Sequence, residues 1–468
     1  MQKKADINQQ LASGKIFPLL VKLSIPATVA QLVNALYSIV DRMYIGHMPD
    51  VGTLALSGIG LTFPITMLIS AFSCLPGMGG SPLAGIAIGE GNFKKAQRYL
   101  CNAVSMLLVI SLVLTTGFLA FLEPLLKLFG ADATTLPYAM DYLQVYLIGT
   151  VFVELALGLN PFINTQGFTL IGTMSVVIGA FLNIVLDPLF IYTFGMGIKG
   201  AAVATVIAQA VSCVWIVAFL TSKKSYIRIK FADMKIDWQI WKKTCALGVS
   251  PFTFRVNESV IVILLNHLLL HYGGADGNLH IASMAILSSM SQVYFMPLSG
   301  VVTGAQPLLS YNYGARNYPR IRGTITYARR LSFGCAVAMW FFLVFTPGLV
   351  CRMFTDNPQL IELTKTTMRI MFSTILVLGF QMINQNAFVA MGNTKYSFLF
   401  GIMRKVLLLV PLALIMPRFM GVWGVYVAEA ISNPTTVIIT FIVFERYMAG
   451  LKRKFGQDAQ STPAGQAK

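Results

Sequence analysis

Two aspartates stand in apolar surroundings where a charge is costly. Asp41 lies in SIVDRMYIG and Asp187 in LNIVLDPLFIY. Asn183 precedes Asp187 by one helical turn and shares its face. Thr205 lies in GAAVATVIAQ. Ionisable groups at membrane depth are rare and usually functional. Two carboxylates in a low-dielectric pocket repel each other, so the cluster can load and release a proton or hold Na⁺ through its oxygens. The competing structural reading makes Asp41 a rim residue paired with Arg42, and Asp187 a helix-end residue before Pro188.

Other polar groups fall in apolar stretches. Arg255 and Glu258 are spaced i,i+3 and can pair with each other or meet a substrate. Glu154, near the inner end of its stretch, suits a gate, a structural role or substrate binding equally. Glu429 is shallower. Gln381, Asn384, Gln385 and Asn386 form a polar patch suited to lining a cavity. The 23 methionines suit an adaptable binding surface, though most will pack helices. The six cysteines read as small buried hydrophobes, and neither they nor the four histidines have metal-ligand spacing. No nucleophile constellation supports an enzyme, and no cofactor is expected beyond a coupling H⁺ or Na⁺.

These residues must be positioned by membrane helices. Of the 468 residues, 56% are hydrophobic and only 11% charged, against about 25% charged in soluble domains. Twelve segments are long enough for the roughly 30 Å hydrocarbon core. They centre on Ile25–Tyr44, Leu54–Leu75, Val104–Leu122, Tyr138–Leu157, Leu170–Ile191 and Ala201–Leu220, then Leu247–Leu268, Ala282–Val302, Leu331–Val350, Met368–Phe388, Phe398–Met416 and Val422–Phe444. Runs this long exclude a transmembrane β-barrel. The net charge of +17 falls in alternate connections. Lys3, Lys4, Lys94, Lys95, Lys223, Lys224, Arg316, Arg320 and Lys452 all lie on the side of the N-terminus, which places both termini in the cytoplasm. The excess therefore orients the chain and does not call for nucleic acid. The polar N-terminus lacks a cleavable signal pattern.

The expected class is thus an all-α polytopic membrane protein with two six-helix bundles. The first lobe covers 1–221, an amphipathic cytoplasmic linker 222–243, the second lobe 244–450, and a disordered cytoplasmic tail 451–468. Trp238 and Trp241 suggest an interfacial helix in the linker. The halves echo each other at an offset of about 225 residues. Pro26 falls on Pro251, Gly79, Pro82 and Gly89 on Gly304, Pro307 and Gly314, and Gly167 on Gly392. Six spans per half make the repeat parallel. Asp41 then falls on Asn266, Asn183 on Leu408, Asp187 near Leu412 and Thr205 on Glu429, so the acidic cluster is one-sided.

VDRMYIGHM, PGMGGSPLAGIAIGEGNFKKAQ, LNIVLDPLFIY, GIKGAAVATVIAQ and GAQPLLSYNYGARNY together resemble the multidrug and toxic compound extrusion (MATE) transporters over nearly the whole chain. Asn183, Asp187 and Thr205 match the DinF-type branch, which includes MepA-like exporters. The resemblance implies that Asp41, Asn183, Asp187 and Thr205 form the cation-coupling site. The NorM-typified branch carries an acid for Na⁺ in span ten, where this chain has amides, while Glu258 resembles that branch's span-seven acid. The implied function is multidrug efflux from the cell inner membrane by cation-coupled antiport, H⁺ favoured over Na⁺. Cationic amphipathic drugs and dyes are the partners, the protein is a monomer, and Pro26 and Pro64 are bending points. The alternative is a flippase for a lipid-linked precursor on the same superfamily fold, for which Arg255, Arg369 and Arg404 are the candidate phosphate ligands.

Overall fold

The computed structural model describes residues 9–49, 51–355 and 357–461; Lys3, Lys4 and 462–468 lie outside them. The described residues form helices and no strands. With no water in hydrocarbon to satisfy peptide groups, each crossing must pair its own backbone, and a helix does so. Nine helical stretches are long and apolar enough to cross a bilayer, and two more crossings are helix pairs bent by 58° and 42°. One stretch, 238–314, holds two helices that turn at Gly274–Asp276.

The twelve crossings are α1 (Ile16–Gly46), α2 (Leu54–Gly89), α3 (Phe93–Ala120), α4 (Leu136–Ile148 with Thr150–Thr165), α5 (Thr169–Thr193) and α6 (Ile198–Thr221) in the first lobe. The second lobe has α7 (Trp238–Gly273), α8 (Gly277–Gly314), α9 (Tyr318–Phe345), α10 (Pro358–Phe372 with Ile375–Ala390), α11 (Thr394–Met420) and α12 (Trp423–Ser461). Pro26 and Pro64 each sit inside a continuous helix. The segment 451–461 continues α12, so the part of the expected disordered tail that is described is helical.

The repeat holds at atomic detail. Asn92 caps α3 by accepting from the Lys95 N–H, and Asn317 caps α9 by accepting from the Arg320 N–H. The residue before each cap is left-handed, Gly91 at φ 74° and Arg316 at φ 55°. Glycine is at ease there and arginine is not. Gly167 and Gly392 likewise both have positive φ, 84° and 70°.

The lobes meet through the first half of α1, the second halves of α2 and α8, and the start of α7. A Cβ on Gly89 would run into the Tyr311 carbonyl, and one on Gly314 into the Ile86 carbonyl. These are reciprocal contacts under the repeat, so α2 and α8 cross backbone to backbone. Gln306 Nε2 donates to Ser81 Oγ at 3.2 Å beside that crossing. Leu11, Leu19, Leu20 and Leu23 are buried in a core otherwise built by the second lobe. The second half of α1 instead packs on α5.

The linker differs from expectation. Residues 222–237 are largely irregular, with one short turn at Phe231–Asp233, and Trp238 and Trp241 belong to the first turns of α7. No separate interfacial helix forms, because the segment is hydrogen-bonded to the first lobe. Gln166 Oε1 accepts from Ser225 Oγ and the Tyr226 N–H, Ser105 Oγ donates to the Met234 carbonyl, and Asn102 Oδ1 accepts from the Asp237 N–H. Trp238 itself is exposed and packs edge-on against Trp241.

Candidate functional site

The site sits where the second half of α1, the end of α5 and the start of α6 converge. Asp187 is fully buried, Asn183 is 2% exposed, and Asp41 and Thr205 are half-buried. Asn183 Nδ2 donates to Asp187 Oδ1 at 3.1 Å and to Thr205 Oγ1 at 3.3 Å. Asp41 and Asp187 are close enough to act on each other electrostatically. Asp41 Oδ1, Asp187 Oδ2 and Asn183 Oδ1 are buried with no hydrogen-bond partner among the described residues. Three oxygens are therefore left for a guest.

Local sequence explains the placement. Pro188 removes a backbone donor directly after Asp187, and the chain widens into a π turn over Leu189–Thr193. Tyr192 then donates its hydroxyl to the Tyr44 carbonyl and ties this turn to the end of α1. Arg42 is exposed with its guanidinium over the Phe63 ring, and Asp41 lies in electrostatic range of both Arg42 and Asp187.

Three tyrosines missed by the sequence reading complete the wall. Tyr37 lies one turn before Asp41 and within electrostatic range of both aspartates. Tyr142 lies beside Thr205 and stacks on Tyr146 at 6.0 Å. Their i,i+4 spacings, 37 to 41 and 142 to 146, were the available signal. Glu154 lies on the next stretch of the same helix, fully buried, with both carboxyl oxygens unpartnered among the described residues. It sits apart from the four-residue cluster, in range of Tyr146 and Cys74.

The second-lobe candidates scatter. Glu258 pairs with Arg404 at 3.6 Å and Lys405 at 3.7 Å, and Lys405 also meets Glu429 at 3.4 Å. Of the two readings left open for Arg255 and Glu258, their mutual pair is not formed: α11 delivers two cations to Glu258, while Arg255 is exposed and reaches Cys74. The amide patch is also divided. Asn384 is fully buried and its Oδ1 accepts from Arg329 Nε and Nη2 at 2.9 and 2.6 Å. Asn386 donates to the Val302 carbonyl. Asn384 therefore serves the helix packing and does not face a cavity, while Gln381 is buried at 4% exposure.

A family model described as MatE matches residues 26–189 and 255–415. The chain belongs to the MatE family. The multidrug export protein MepA of Staphylococcus aureus (strain MSSA476) is 22% identical over 436 residues, covering 92% of this chain and 95% of that one. MepA of Staphylococcus haemolyticus (strain JCSC1435) is 24% identical over 438 residues, with the same coverage. Among solved structures, one described as MATE in the bent conformation superposes with a TM-score of 0.89 at 25% identity, covering 96% of this chain and 99% of that one. An outward-facing multidrug resistance MATE transporter gives 0.87 at 25%, covering 95% and 98%. The MatE fold places the two-acid cluster within one lobe, and the protein is a multi-pass membrane transporter.

Proposed function

We propose that this protein exports cationic amphipathic compounds by antiport, with H⁺ the coupling ion at Asp41 and Asp187. The observation that carries the reading is the cluster of two carboxyls, Asp187 fully buried and Asp41 half-buried, with no salt-bridge partner among the described residues. It has unpartnered oxygens on Asp41, Asp187 and Asn183. H⁺ is favoured over Na⁺ because the cluster brings two carboxyls together in one buried pocket, where a proton relieves their repulsion, and Asn183 already donates its amide N–H₂ to Asp187 and Thr205.

Protonation and the drug favour different packings of α1, and alternation follows if each binds one state better. The lobes are joined at the end that holds the start of α1, so a path between them would open away from the N-terminus. With both termini cytoplasmic and the protein in the cell inner membrane, this is the outward-open state. Each chain carries both lobes, so a monomer suffices. A flippase would need free cations for phosphate. Of the candidate phosphate ligands Arg255, Arg369 and Arg404, Arg404 is instead paired with Glu258, which weighs towards export.

The test is dye efflux from proteoliposomes under an imposed pH gradient or an imposed Na⁺ gradient, each alone. The pH gradient should drive efflux and the Na⁺ gradient should not. Asp41→Asn and Asp187→Asn should each abolish it with expression intact. Full activity in both variants would remove the assignment.

A further inference from the structure

Under the repeat, the helices that build the acidic cluster, α1, α5 and α6, correspond to α7, α11 and α12. That second trio also carries two carboxyls, Glu258 on α7 and Glu429 on α12. Unlike the first, it supplies its own cations. Lys405 Nζ lies 3.4 Å from Glu429 Oε1 and 3.7 Å from Glu258 Oε1, and Arg404 Nη2 lies 3.6 Å from that same Glu258 oxygen. Arg404, Lys405 and Glu429 are 6%, 8% and 8% exposed. Two consecutive residues can both turn inward because α11 is wound as a π-helix over Met403–Leu409, a geometry frequent at functional sites.

The cluster also has an oxygen to spare. A small cavity beside it is lined by Ser291, Arg404, Glu429 and Asn433 among others. Asn433 is 3% exposed, and its Oδ1 is buried with no hydrogen-bond partner among the described residues. Arg404 is held separately, its guanidinium between the Phe254 and Phe295 rings at 6.0 and 5.9 Å.

We propose that Glu258, Glu429 and the neighbouring Asn433 form a monovalent-cation site in the second lobe and that Lys405 is its tethered occupant. The Glu258 side chain is 41% exposed, but the buried Glu429 carboxylate needs a counter-charge. An ammonium is a compact point charge on a flexible stem, close in kind to a small hydrated cation, whereas the planar guanidinium of Arg404 is not. With Lys405 in place the cluster balances two negative charges with two positive ones. This lobe is thereby closed to mobile ions, and the first lobe is left as the open one. The inference stands whichever ion the first lobe uses.

The experiment uses the full chain carrying Asp41→Asn and Asp187→Asn, which removes the first-lobe acids. Lys405→Met is added to keep the side-chain bulk and delete the charge. In mildly alkaline buffer, Lys405→Met should gain saturable binding of radioactive sodium and a Na⁺-dependent rise in Tm, measured against choline. The parent should show neither, and Lys405→Met/Glu429→Gln should lose both. If Lys405→Met is poorly recovered, recovery itself is the readout. It should be restored by Na⁺ and not by choline, while the double variant is recovered in either. Binding and Tm indifferent to Na⁺, or recovery that Na⁺ does not change, overturns the proposal.

Discussion

Asn183 is the residue through which the two-acid cluster is organised, since one amide nitrogen reaches both Asp187 and Thr205. Asn183→Ala should lower dye efflux roughly tenfold, near the low end of the ~1.5–3 kcal/mol of hydrogen bonds to charged groups. Thr205→Ser should keep most activity. Arg329 makes a different point. Its fork serves Asn384 on one edge and Glu445 at 2.7 Å on another, with Phe441 and Phe444 against its face. Arg329→Ala should cost about 1–3 kcal/mol by stranding a buried amide. Arg329→Lys should fail to rescue it, because an ammonium cannot replace the fork. A thermal-shift series on the purified protein measures both. The acids of the first cluster were legible because aspartate in an apolar run has few explanations. Asn384 was misread because an amide facing a cavity and an amide facing a buried arginine look alike in a sequence. Its partner lies 55 positions away.

At the scale of elements, the α2–α8 crossing is the feature most sensitive to substitution. A methyl on Gly89 would press on the Tyr311 carbonyl, and backbone atoms cannot swing aside. Gly89→Ala should therefore destabilise the protein by about 1–3 kcal/mol and reduce efflux. Gly117, inside α3 with nothing within 4 Å of the added carbon, is the control. Gly117→Ala should stabilise by about 0.5–1 kcal/mol, since alanine loses less freedom in a helix. Thermal shifts and dye efflux on both variants decide. Apolar run length exposed ten of the crossings as single blocks. The bends of 58° in α4 and 42° in α10 left no hydropathy signature. Nor did the π winding of α11, so Arg404 and Lys405 gave no sign in the sequence of being Glu258's partners.

For the whole molecule, the offset of about 225 residues carried the architecture correctly. Glycine pairs recur only where the backbone demands them, as at Gly167 and Gly392. What the offset could not convey is that the two copies have diverged in charge. One trio of helices holds acids alone, and its counterpart holds acids with their counter-ions.

The docking of residues 222–237 bears on how the protein is made. Each hydrogen bond described for that connection reaches backwards, to Asn102, Ser105 or Gln166. The first lobe can thus seal its trailing end before α7 leaves the ribosome, in keeping with domains maturing in order of synthesis. Its leading end cannot. Leu11 and Leu20 are buried among residues of the second lobe, and Arg320 Nη1 binds the Gly14 carbonyl at 2.9 Å. The earliest segment to be translated is therefore among the last to find its seat. A chain truncated after Asp237 should resist protease across 222–237 yet be cut within its first twenty or so residues, while the full chain resists at both places.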